Sequence, residues 1–171
     1  MQVGDCLKKI AAVNDISGFG RCSLTAALPV ISALGIECCP LPTAVLSNQT
    51  GYDSFHCVDL TNDLSRFINE WKKLGVKFDG ILTGYIASAT QAELISQFID
   101  EFATENTVTV VDPVMADDGQ VYGTYSKSLC AKVAHLAKKS EYNHAKHHGA
   151  MHTRTAQLQR PSYAKLSPRL P

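Results

Sequence analysis

The chain has 171 residues, 45% of them hydrophobic and 19% charged, and its 16 basic side chains balance 16 acidic ones. That length and composition fit one globular domain and exclude a multidomain machine, a disordered chain and a fibrous repeat, while a net charge of zero argues against a dedicated nucleic-acid binder. The zero conceals an asymmetry, because residues 140–171 hold Lys146, Arg154, Arg160, Lys165 and Arg169 against Glu141 alone, a balance of +4 that leaves −4 for residues 1–139. This tail also carries His144, His147, His148 and His152, and its large aliphatics are only Leu158, Leu166 and Leu170. Such a stretch buries too little apolar surface to offset the entropy of ordering it, so two units are expected: a folded body over 1–139 and a basic, disordered tail of a different kind over 140–171.

Cys6, Cys22, Cys38, Cys39, Cys57 and Cys130 form no C-x-x-C pair and no regular framework, and the N-terminus does not read as a signal peptide. Reduced thiols in a cytoplasmic protein are expected. No apolar run reaches the length of a membrane span.

Taken in order, residues 9–13 are predicted as a short strand and 14–20 as a loop containing Gly18 and Gly20. Ser23 caps a helix to about Leu34, with Gly35 as its stop and Pro29 predicting a kink or interrupted turn. Residues 36–39 form the next strand, and 40–52 a polar loop or short strand. Thr61 or Asn62 opens an amphipathic helix whose Leu64, Phe67, Ile68 and Trp71 share a face, and Gly75 ends it. Residues 81–86 are a strand, Ser88 or Thr90 starts a helix through Phe102, 108–111 are a strand, and a last helix begins near Ser126. This alternation predicts an α/β fold, an open and mostly parallel sheet with helices on both faces.

Ligands of such sheets bind beyond the carboxyl ends of the strands, where loops converge and helix N-termini point their amides. The polar residues that follow strands therefore belong to one crevice: Asn14, Asp15 and Ser17; Ser47, Asn48, Thr50 and Tyr52; Thr83 and Tyr85; Asp112 and Asp117. Asp112, before Pro113 at a strand end, suits a magnesium ion bridging to phosphates, or else a plain turn. The 14–20 segment lacks the Lys and Ser/Thr of a Walker loop, so its carboxylate and amide point to hydroxyls or a ring heteroatom of a small substrate. Tyr85 either covers a planar ligand or packs as a rim tyrosine. Cys38 and Cys39 are expected to be buried thiols rather than metal ligands.

Four stretches in this order carry a resemblance: Val-Asn-Asp-Ile-Ser-Gly-Phe-Gly-Arg-Cys-Ser (13–23), Leu-Ser-Asn-Gln-Thr-Gly-Tyr (46–52), Leu-Thr-Gly-Tyr (82–85) and Val-Asp-Pro-Val-Met-Ala-Asp-Asp-Gly (111–119). Residues 8 to 138 resemble the N-terminal half of the pyridoxal/pyridoxamine (vitamin B6) kinase family of ribokinase-like fold. The resemblance implies ATP and Mg²⁺ as cofactors and transfer of the γ-phosphoryl group to the 5′-hydroxyl of pyridoxal, pyridoxine or pyridoxamine. It implies substrate contacts at Asp15, Ser17, Thr50 and Tyr85, nucleotide contacts at Asp112, Asp117 and Tyr122, and a metal contact at Asp112. Ala116 and Gln49 depart from the family's glycine and histidine. A homodimer is implied for a full-length relative, and hydroxymethylpyrimidine kinase, of the same fold, is the alternative activity.

The family's Gly-Thr-Gly-Asp segment, which supplies the proton acceptor and an amide cradle, does not occur in this chain. No catalytic residue is therefore assigned, and negligible turnover is expected. The family's Thr-Pro-Asn…Glu segment is also lacking. Back-translated and read one base later, Ser140 through Gly149 can spell Ala-Asn-Ile-Ile-Thr-Pro-Asn-Ile-Thr-Glu, so the tail is expected to be a frameshift product of a longer kinase gene.

Overall fold

The computed structural model describes residues 7–114, 116–117, 120–121 and 126–140. Its first strand, β1 (Lys9–Phe19), is the organising element, central to a five-stranded sheet. It is followed by α1 (Ser23–Ala33), β2 (Glu37–Asn48), β3 (Cys57–Asp59), α2 (Thr61–Leu74), β4 (Gly80–Thr83), α3 (Ala89–Phe102), β5 (Val108–Val111), β6 (Ala116–Asp117), β7 (Gln120–Val121) and α4 (Lys127–Ala137). The sheet order is β3-β2-β1-β4-β5, with β3 antiparallel to β2 and the other pairings parallel, and β6 with β7 makes a separate small hairpin.

The α/β expectation holds, and so do the positions of α2, α3, β5 and α4. Strand alternation divides the core. Ala11, Val13, Leu41, Ile81 and Val111 face the side covered by α2, α3 and α4, where Leu64, Ile68, Ile95, Phe98, Ile99, Leu129, Val133 and Leu136 are buried. Trp71, Phe78, Phe98 and Phe102 form an aromatic cluster there, with ring centroids 4.7–6.0 Å apart. On the opposite face, α1 sets Ile31 beside Ile10, Ile36, Leu82, Val108 and Val110 along an open groove of about 360 Å³.

Several sequence expectations are corrected. Residues 14–20 are not a loop as far as Phe19, because β1 continues, with a register break between Asn14 and Ile16, and pairs with β2 out to Phe19 opposite Asn48. Buried polar side chains disguised this half of the strand: Asp15 and Ser17 follow Val13 inward by two-residue alternation. Strand β2 is likewise three times longer than expected. It accommodates Pro40 and Pro42 because β3 pairs only with residues 44–46, and the Glu37 amide, bonded to Lys8 O at 2.8 Å, sets an alternation that turns both proline nitrogens to the free edge. Strand β4 ends at Thr83 rather than 86. Helix α1 runs through Pro29 without interruption, with Cys22 rather than Ser23 in the cap position. Phe67 is 46% exposed, off the buried face expected for it.

Gly75, at φ 64°, ends α2 in a left-handed turn as expected. Among the described residues, Cys22, Cys38, Cys39, Cys57 and Cys130 are free thiols, and no helix is long and apolar enough to cross a membrane.

Candidate functional site

The crevice arises from unequal strand lengths. Pairing between β1 and β4 stops at Val13 opposite Thr83, and pairing between β4 and β5 stops at Thr83 opposite Val111. Strands β1 and β2 continue six residues further, about 20 Å at the usual rise. Above Thr83 and Val111 the exposed flank of β1 therefore has no strand beside it. The chain leaving β4 fills part of that space with Gly84 and Tyr85, and Asp112 opens the turn that leaves β5.

The structure brings Asp15, Ser17 and Tyr85 to this place. Asp15 lies two residues beyond Val13, is 6% exposed, and accepts a hydrogen bond from the buried Ser17 hydroxyl at 3.3 Å. Asn14 joins the two segments, since its Oδ1 accepts from the Tyr85 amide at 2.8 Å and from the Asp15 amide at 2.9 Å. The Gly84 amide donates to Val13 O at 2.8 Å. A Cβ at Gly84 would sit 2.2 Å from Asn14 Nδ2, so any larger residue there has to displace the Asn14 side chain. Tyr85 is half-buried.

Asp112 is exposed at the end of β5, and its amide donates to Thr83 O at 3.1 Å. Strand β4 lies between β5 and β1, so the strand carrying Asp15 and the strand end that leads into Asp112 are two strand spacings, about 10 Å, apart. Thr83 itself is fully buried, and among the described residues its hydroxyl has no hydrogen-bond partner. Thr50 stands at the same end of the sheet, two residues past β2, and is exposed.

Its neighbours in the 47–56 loop serve the loop itself. Ser47 Oγ donates to Asn48 Oδ1 at 2.6 Å and accepts from the His56 amide at 2.9 Å, and Asn48 Nδ2 donates to Ser54 O at 2.9 Å. Tyr52 stacks obliquely on Phe19, with ring centroids 5.6 Å apart. Asp117 is described in β6 as backbone only, and Tyr122 lies outside the described residues, as do residues 141–171. Ser140, assigned by composition to the tail, belongs to the folded body. It is 1% exposed, and its hydroxyl accepts from Val111 N at 3.2 Å and donates to Thr109 O at 3.3 Å along the outer edge of β5.

Three residues near the site escape a reading of strand ends. Cys57, on β3, is exposed, yet partial burial and then the charges of Asp59 and Asp15 raise its thiol above the ordinary range. Thr43 and Gln91 are wholly buried and bond to the segment that carries Tyr85. The pattern Ser88-x-x-Gln91 is the sequence trace of the last, although Gln91 caps the Ala87 amide rather than that of Ser88.

A single hard cation can be held by the oxygens present. Asp112 offers an exposed carboxylate at a strand end, and Mg²⁺ characteristically takes one or two carboxylates and completes its shell with phosphate and water. Among the described residues, no three His, Cys, Asp or Glu side chains cluster as a preformed cage.

No protein-family model matches the chain. A curated relative from Bordetella avium strain 197N, named pyridoxine/pyridoxal/pyridoxamine kinase, is 31% identical in an alignment 116 residues long that covers 64% of this chain and 38% of the relative. Among solved structures, a Bacteroides thetaiotaomicron protein described as a phosphomethylpyrimidine kinase superposes with a TM-score of 0.78 at 44% identity, over 82% of this chain and 49% of its own. Its orthorhombic form, crystallised with pyridoxal, gives 0.76 at 46% identity over 78% and 47%. Pyridoxal kinase from Lactobacillus plantarum gives 0.70 at 30% identity over 76% and 46%. The chain thus spans about half the length of the solved relatives and less of the curated one.

Proposed function

We propose, from the similarity of the chain to ribokinase-like pyridoxal and phosphomethylpyrimidine kinases, that the crevice beyond β1 and β4 binds the flat ring of a B6 vitamer. The observation that carries the proposal is the buried Asp15–Ser17 hydrogen-bonded pair on a strand whose Asn14 side chain also holds the backbone amide of Tyr85. A pyridine carrying a phenolic oxygen and hydroxymethyl groups needs such a combination: charged and neutral hydrogen-bonding groups at its edge and a ring against its face.

In this reading Asp15 and Ser17 orient the heterocycle, Tyr85 covers it, and Thr50 reaches its substituents from the turn after β2. Asp112 holds Mg²⁺, with Asp117 and Tyr122 on the nucleotide side. Bound MgATP supplies the phosphoryl group destined for the 5′-hydroxyl. The protein's part in such a transfer is to hold acceptor and donor in line, exclude water and offset charge on the equatorial oxygens. The Gly-Thr-Gly-Asp segment that provides the proton acceptor in the family does not occur in these 171 residues, so the reading is tested by vitamer binding rather than by turnover.

The Bacteroides relative favours a second reading, phosphorylation of a hydroxymethylpyrimidine, by its description, and the B6 reading by the pyridoxal crystallised with it. Thermal melting of the full chain with each compound separates them. A ligand bound only by the folded form, at 100 times its dissociation constant, stabilises by about 2.7 kcal/mol. Pyridoxal is expected to raise the melting temperature and hydroxymethylpyrimidine to leave it unchanged. The reverse result assigns the pyrimidine, and no shift with either refutes both.

A further inference from the structure

We infer that Thr43 and Gln91 are positioning residues for Tyr85, fixing the segment from which that side chain meets the substrate. This rests on the functional reading above. The segment 84–88 has no ladder of its own, and other elements supply its partners. Gly84 N and Tyr85 N are taken by β1, Tyr85 O accepts from Thr43 Oγ1 of β2 at 2.9 Å, and Ala87 N donates to Gln91 Oε1 of α3 at 2.9 Å.

The two residues are themselves joined. Gln91 Nε2 donates to Thr43 O at 2.8 Å and to Asp59 Oδ1 at 3.1 Å. Asp59 Oδ1 also accepts from the Thr61 amide at 2.7 Å, Thr61 Oγ1 lies 3.1 Å from Ser88 Oγ, and Ser88 Oγ accepts from the Gln91 amide at 3.1 Å. A closed circuit therefore ties the Tyr85 segment to β2, to β3 and to the first turns of α2 and α3. Both side chains are 0% exposed, and a buried network of this kind is rigid only while every member is satisfied. The circuit sets the distance between Tyr85 and the β2–β3 side of the crevice, which carries Thr50. That distance determines the thickness of the ring that fits.

The test compares Thr43→Val, Thr43→Ser and Gln91→Met in the full chain, with Thr107→Val as control. Thr107 is equally buried and donates to Phe78 O at 2.7 Å, but it lies at the opposite end of the sheet. Pyridoxal dissociation constants come from absorbance titration, and backbone exchange at residues 84–88 from deuterium uptake. Thr43→Val and Gln91→Met are expected to weaken pyridoxal binding about tenfold, the worth of one buried hydrogen bond, while Thr43→Ser restores it. Thr107→Val should lower the melting temperature comparably and leave pyridoxal affinity unchanged.

Wild-type affinity in Thr43→Val and Gln91→Met, or an equal loss in Thr107→Val, overturns the inference. If the unmodified chain binds no pyridoxal, the functional reading fails separately. The positioning role then stands or falls on exchange: faster uptake across 84–88 in Thr43→Val, reversed in Thr43→Ser, upholds it, and unchanged uptake overturns it.

Discussion

Replacing Gly84 with alanine tests the construction of the site without requiring a ligand. The new Cβ would lie 2.2, 2.5 and 2.7 Å from Nδ2, Cγ and Oδ1 of Asn14, so the asparagine has to move. Moving it breaks the bonds to the Tyr85 and Asp15 amides, at 2.8 and 2.9 Å, each worth about 1 kcal/mol net. Forcing a methyl group into filled space adds about 1–3 kcal/mol, for a total of about 3–5 kcal/mol, a large part of the stability of a domain this size. Gly51→Ala provides the contrast, because nothing lies within 4 Å of a Cβ there, and its effect should stay within about 1 kcal/mol. Urea unfolding gives both values, and deuterium exchange reports the Tyr85 and Asp15 amides directly. A Gly84→Ala chain as stable as Gly51→Ala, or one whose Tyr85 amide stays protected, would refute the placing of Asn14 as the joint between the two segments.

Further expectations concern charge and coding. Asp15→Asn removes one of the negative charges that raise the Cys57 thiol, so iodoacetamide should alkylate Cys57 faster at fixed pH near 8, and an unchanged rate would contradict that influence. Cys38, Cys39 and Cys57 are all raised, chiefly by burial. Below the ordinary thiol range both folded and unfolded chains keep these protons, and above it the unfolded chain loses them first. The melting temperature should therefore fall as pH climbs through that range, less steeply in Cys39→Ala, and a flat profile contradicts the sign. For the tail, we propose a shifted reading frame. Sequencing the gene beyond codon 138 should reveal an alternative frame that encodes Thr-Pro-Asn and runs on to Gly-Thr-Gly-Asp, and a gene without one sinks that proposal.

Much of the fold is legible because helices announce themselves at both ends. Ser88 and Ser126 cap α3 and α4, Gly75 stops α2, and the apolar spacing of Leu64, Ile68 and Trp71 matches the buried face. The strands are legible only where they are apolar. The second half of β1 is hidden by Asn14, Asp15 and Ser17, whose burial depends on β2 running beside them and on hydrogen bonds no linear pattern contains. Strand β2 is hidden by two prolines that are tolerable only beside a free edge. The short β3, exposed throughout, carries no periodic signal at all.

The site follows the same logic. Asp15, Tyr85 and Asp112 can be found from the rule that ligands gather beyond parallel strand ends, because that rule needs only the ends. Thr43 lies in mid-strand and Gln91 inside a helix, and their importance comes from contacts 42 and 48 residues away in sequence. Ser140 reads as tail by composition, yet its hydroxyl spans two backbone groups of β5, a role set by where the chain returns to the sheet.

The central claim is that a B6 ring sits between the Asp15–Ser17 pair and Tyr85, and amide chemical-shift mapping of the full, isotope-labelled chain during a pyridoxal titration tests it most directly. The account predicts saturable shifts concentrated at residues 14–17, 84–87 and 112. Shifts confined to the apolar groove between α1 and β5, or none at saturating pyridoxal, would contradict it.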